Sequence, residues 1–403
     1  MNKLLPVILL PVFCLFFSFS SKAVDRYWVG GTGDWNDLNS WAAASNGVGG
    51  VSIPTAIDDV FFDVNSGLNP ATIVNMNVAV DIRSIDFSGV ATSFIFNSTG
   101  LDVTIRGSIT GNVAGAAFTG IWAGIDLITV APGQTLTSGG TVWVQDFTTL
   151  GDQISILDDF DNGNASFQID SGGVDLNGNV FECGTFISLT NGDRIIDIAN
   201  AEITINSGAW SIDSTNLTWT AGSSIISLGD NGTGLANFFG GSLPYDTLES
   251  ISATNISYFG NNSFDLVDLI PSSTFRIRNG DSLIVDSLIA SGTCLSRFFF
   301  RTTGPGPAGV IQKTGFNTIS LTGLDIDNVN AGLVGTYNLS FSALQNALGW
   351  TNSPAKFFWF GNGGDWNDVA HWSFTSGGPL TTGGCLPFIS DSVFFDVNSF
   401  TLT

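Results

Sequence analysis

The chain has 403 residues, 35 of them acidic and 12 basic, for a formal charge of -23; 43% are hydrophobic and only 12% charged. That apolar content supports a large core and excludes a disordered polyanion. The sign of the charge argues against nucleic acid, whose phosphates need a basic patch. One histidine in the whole chain removes most metal and acid–base chemistry. The three glutamates and four lysines stand beside 49 glycines and 32 aspartates, a composition of turns and strands and not of helix surfaces.

Met1 to Ala23 reads as a secretory signal peptide: Lys3, an apolar run from Leu4 to Phe19, then Ser21-Lys22-Ala23 as a cleavage site. The run falls short of the about 20 residues that span a bilayer. No later stretch supplies a span, so the mature chain is expected outside the membrane, exported to the surface or the medium. Cys14 leaves with the signal, and Cys183, Cys294 and Cys385 remain. An odd count leaves at least one unpaired; Cys183 and Cys294 can pair, and the sequence does not decide it.

Next comes a long repeat. Tyr27 to Trp41 returns at Phe358 to Trp372 with eight of 15 positions identical, and Pro54 to Ser66 returns at Pro387 to Ser399 with nine of 13. The offsets, 331 and 333, define a module of roughly 330 residues. One module is expected over 24–353, and the opening of a second over 356–403. Since the second copy stops after its FFDVNS block, the chain reads as a fragment of a longer array.

Between the openings, short alternating runs such as Val103-Thr104-Ile105, Ile203-Thr204-Ile205 and Phe275-Arg276-Ile277 are bounded by Gly, Asn, Asp and Ser. Period two with frequent turn residues predicts strands. Only Ser342 to Leu348 has a helical look. Turn signals every five or so residues, as in Ser166 to Ser188, are too close for sandwich strands. The predicted fold is therefore all-β, a right-handed parallel β-helix or β-solenoid, with an array of β-sandwiches as the alternative.

The opening block (W-V-G-G-x-G-x-W-x-x-x-x-x-W), followed by P-x-x-x-D-x-V-F-F-D-x-N-S, resembles repeat modules of very large adhesin-like surface proteins of Bacteroidota, which are associated with type IX secretion. The likeness is specific at Trp28 to Trp41, Asp58 to Ser66 and their second copies. It implies a repetitive cell-surface or extracellular protein and brings no catalytic residue with it. No C-terminal sorting domain accompanies it in this sequence.

Few motifs carry chemistry. His371 stands where the first copy has Ser40, so the module does not depend on it, and an exposed loop residue is expected. Without a histidine in the full copy no Ser/His/Asp triad can form. Carboxylate-only cleavage of polysaccharide remains open in principle, with Asp158, Asp159 and Asp161 as acids and Arg276 and Arg278 as clamps. Asp159, Asp161 and Asp170 loosely follow calcium-loop spacing, but Gly163 sits one place early and the last ligand is not Glu. Gly30-Gly31-Thr32-Gly33 and Gly304-Pro305-Gly306 lack what phosphate-cradling loops require. Trp28, Trp35, Trp41, Trp359, Trp366 and Trp372 recur at fixed spacing. They are either sugar-stacking platforms, hence candidate carbohydrate-binding residues, or a hydrophobic plug at the start of each module, the reading favoured here.

The expected protein is a non-catalytic structural or adhesive surface module, with glycans or other surface proteins as partners and calcium as the one cofactor considered. The alternative is a carbohydrate-binding or polysaccharide-cleaving β-helix.

Overall fold

The computed structural model describes residues 23–97, 100–101, 103–112, 118–119, 124–230, 232, 234–293, 296–378, 385–388 and 391–400. Residues 1–22 of the stretch read as a signal peptide lie outside them, as does Cys294. Among the described residues 47% lie in strands and 2% in helix, and the strands wind into a parallel β-solenoid of about 12 turns. Sandwiches are thereby excluded. Antiparallel pairing occurs, among the described residues, at Trp28↔Trp41 and at its repeat Trp359↔Trp372.

An early turn shows the plan: Asp59–Phe61 on a first face, Ile73–Asn75 on a second, Val80–Ile82 on a third, then Ser84–Asp86 back on the first. Alternation sends every other side chain inward, and parallel register stacks like on like. On the first face Val60, Ile85, Ile109 and Leu136 form one column. On the third, Phe147, Phe167, Phe186 and Trp210 stack with centroids 6.0, 6.0 and 4.5 Å apart. This aromatic file is the spine of the core.

The acidity is spent at the corners. Asp63, Asp86, Asp161, Asp175, Asp197 and Asp213 each accept the backbone N–H two residues on, the Asx-turn geometry. Asn177, Asn200 and Asn216 follow at φ of 54°, 60° and 53°, a region asparagine tolerates. Arg83–Asp59 and Arg106–Asp81 add ion pairs across adjacent turns.

Ser342 to Leu348 departs from its predicted helix. Ala343–Gln345 is a strand paired with Asp325–Asp327, between Phe341 and Asn346 at φ of 51° and 48°. The ladder of the preceding turn overrides helix propensity.

The cross-section changes partway along. The first face ends with Leu217–Thr220. Beyond it the chain runs from Leu235–Phe239 on the third face through a tight corner into Pro244–Ser250 on the second. Second-face strands lengthen to seven residues in Pro244–Ser250 and Ser263–Leu269 and to nine in Ser282–Ala290. Trp219 Nε1 donates to the Pro244 carbonyl at 2.8 Å, tying the last first-face strand to that bypass. The result is a step in the side of the solenoid.

Candidate functional site: the opening blocks and the step

The tryptophans of the first opening face inward. Trp28, Trp35 and Trp41 are at most 1% exposed, with Trp41 packed edge-on against Trp28 and Trp35 at 5.0 and 4.7 Å. Trp28 Nε1 donates to the Gly31 carbonyl and Trp41 Nε1 to that of Trp35. Gly30 and Gly33 are required because a Cβ at either would meet the Ser40 hydroxyl at 2.6 and 3.0 Å. Trp41–Ala42 closes the first face as a two-residue antiparallel edge, short enough to deter further pairing. These three rings offer no face to a sugar, so their assignment as carbohydrate platforms is corrected. In the second opening Trp359 and Trp372 are likewise buried, and Trp366 is 46% exposed. Trp35 is covered by Phe96 of a later turn, for which the second copy has no counterpart within the 403 residues. His371 is partly buried, its ring stacked on Trp359 at 4.7 Å and its Nδ1 2.8 Å from the Phe360 carbonyl; it is not a free loop side chain.

The aspartates chosen from spacing do not converge on a metal. Asp159 accepts from the Val180 N–H, Asp161 from the Gly163 N–H, and Asp170 from the Gln168 amide. No group of three carboxylate, histidine or cysteine side chains suited to a metal occurs among the described residues, so calcium ligation by this trio is corrected. Asp170 follows the third-face strand Ser166–Ile169 while Asp161 lies on the second face, so the two belong to different faces. Asp158 braces the corner at Ser138 and Gly139 through their N–H groups, at 2.6 and 2.7 Å. Arg276 and Arg278 lie five third-face strands beyond Ser166–Ile169, about 24 Å at the usual strand spacing. They cannot clamp a substrate held by those acids. Cys183 is a buried free thiol and Cys385 is disulfide-bonded, which corrects the Cys183–Cys294 option. Burial drives the Cys183 pKa far above its ordinary value, with Glu182 adding to the effect.

Sequence reading missed the step. Where the first face ends, a recess of about 420 Å³ opens at the corner of the third face. Its floor is apolar: Phe239 and Phe259 occupy adjacent outward positions and stack at 4.1 Å with 12° between planes. Leu189, 55% exposed, stands beside them. The strand neighbour of Phe239 on the other side is Ser211, too small to cover the ring. Asp213, Ser214, Ser242 and Arg278 supply the polar rim. The Thr215 backbone N–H and hydroxyl, with Arg194 nearby, hold the Asp213 carboxyl below its usual range. Arg278 reaches both Asp281 oxygens at 2.8 and 3.1 Å, and Asp281 also accepts the Gly260 N–H, so the rim is fixed before any ligand arrives. A second recess of about 590 Å³ adjoins it at Ser214, bordered by Asp152, Asp193 and Asn216. Buried Arg194 secures the corner between them, donating to the carbonyls of Ser188, Gly192, Asp213 and Thr215. Two outward phenylalanines 20 residues apart were the one available sign in the sequence.

No known protein family, curated protein or solved structure matches the chain.

Proposed function

We propose that the chain is a non-catalytic structural and adhesive module of an exported, repetitive surface protein, built to stack end on end. The observation that carries this reading is the way the second opening meets the end of the first solenoid. Phe374 packs against Phe341 of the last turns at 5.3 Å, and the Arg297 guanidinium lies 4.0 Å from the Phe388 ring. The first opening has Ala43 and Thr55 at these places. The equivalence is fixed by matching bonds: Gly47 N–H to Ala44 as Gly378 to Thr375, and Thr55 N–H to Asp58 as Phe388 to Asp391. An opening that follows another module thus carries aromatic rings where the leading one carries small or polar groups. The uniform aspartate corners and the resemblance to surface repeat modules fit the same role. The acids offered for polysaccharide cleavage are committed to turns instead.

The test is limited proteolysis, with small-angle scattering, of the chain from residue 24 onward and of its Phe374→Ala/Phe388→Thr double variant. A stacked module protects 355–400 in the parent and loses that protection in the variant, with a larger maximum dimension. Equal protease sensitivity in both would remove the basis for stacking.

A further inference from the structure

We infer that the step recess is a saccharide-binding site, and that its ligand is a segment of a neutral glycan running along the side of the solenoid. A pyranose has an apolar C–H face and a rim of hydroxyls, and the recess has the same two halves. Phe239 and Phe259 give the aromatic floor. Asp213 and Ser242 accept hydroxyl protons, and Arg278 donates. Two of its nitrogens are held by Asp281, which leaves Nη1 to point at a ligand. Aromatic floor and polar rim are joined where the Arg278 guanidinium sits 6.0 Å from the Phe259 ring, at the limit of cation–π contact.

Size and charge narrow the ligand. The volume of about 420 Å³ lies within the about 300–1,000 Å³ range of small-ligand sites. The adjoining recess shares Ser214 and continues along the corner, so the shape suits a chain of sugars better than a single ring. Asp152 and Asp193 border that continuation, the chain carries a formal charge of -23, and Arg278 is already paired. A uronic-acid or sulfated polymer would be repelled. The floor is held by paired strand backbone, and the corner glycines, Gly241 and Gly260 at φ of 65° and 97°, take a backbone conformation that side-chain-bearing residues adopt only with strain.

The experiment is an array of neutral, uronic-acid and sulfated oligosaccharides probed with the chain from residue 24 onward, followed by titration of the best neutral binder. Phe259→Ser and Arg278→Gln should each weaken binding at least about tenfold, with both variants still folded at the assay temperature and unfolding in a single cooperative transition. Trp366→Ala, an exposed aromatic outside the recess, should bind as the parent does. Retention of acidic glycans alone, retention of none, or parental affinity in both recess variants would each overturn the assignment.

Discussion

Trp35 and Trp366 occupy the same place in the two opening blocks but not the same environment, and this makes a paired perturbation informative. Trp35 is 1% exposed and contacts Trp28, Trp41, Phe62 and Phe96. A buried tryptophan removes about 150–250 Å² from water, worth about 4–6 kcal/mol at about 25 cal/mol per Å². Large-to-small substitutions of this kind cost about 3–5 kcal/mol. Trp366 keeps 46% of its surface exposed, so Trp366→Ala should cost about half as much, roughly 2 kcal/mol. Both keep the backbone carbonyl that accepts from the third tryptophan of the block, so the comparison isolates side-chain burial. Hydrogen exchange at the amides of 25–42 and 356–373 reads the local opening free energy of each block, and calorimetry reads the whole. Equal costs at the two sites, or no cost at Trp35, would refute burial as what organises the block.

Glu249 and Asp268 sit side by side on the second face, and burial first, then the Glu249 charge, raises the Asp268 pKa above its usual 3.8. The folded chain therefore holds that proton more tightly than the unfolded chain. Stability from this group is full in acid and is lost as pH climbs from 3.8 through the raised native value. Asp268→Asn should stabilise the fold at pH 7 by about 0.2–1 kcal/mol for a like-charge neighbour, read as a higher melting temperature, with no gain at pH 3; a gain equal at both pH values contradicts the sign. Arg194→Met removes a buried guanidinium and strands the carbonyls of Ser188, Asp213 and Thr215, and should lower the urea midpoint by the equivalent of about 3 kcal/mol. An unchanged midpoint would show that the corner does not need it. Cys183 should resist alkylation in the folded chain and react once the chain is unfolded, because its thiol is buried and its pKa raised; labelling of the native protein, read by mass spectrometry, would contradict that burial.

Much of the fold was legible because its grammar is local. Asp-x-Asn and Asp-x-Gly corners announce themselves, and Val103-Thr104-Ile105 can only be a strand with two residues inward. The opening blocks were visible as a repeat, but repetition does not say which way a ring faces. Spacing favoured a core role for Trp28, Trp35 and Trp41 but left sugar stacking open; their burial against Phe62 and Phe96 decides for the core. Asp159, Asp161 and Asp170 misled for a related reason: calcium-loop spacing presumes one loop, and here two strands intervene. The step was out of reach altogether. Leu189, Asp213, Phe239, Phe259 and Arg278 come from successive turns, and they meet only because the first face stops at Thr220, a property of sheet stacking that no short window records.

The parallel register has a mechanical consequence. Backbone hydrogen bonds run between turns, along the axis of the rod, so a pull on its two ends loads each ladder bond in tension and opens the turns singly, like a zipper. Each turn that lets go pays out some 20 residues, about 70 Å of chain at full extension, while its neighbours stay wound. The antiparallel Trp41–Ala42 edge closes one end of the first-face ladder. A rod wound this way yields to an axial load in small instalments.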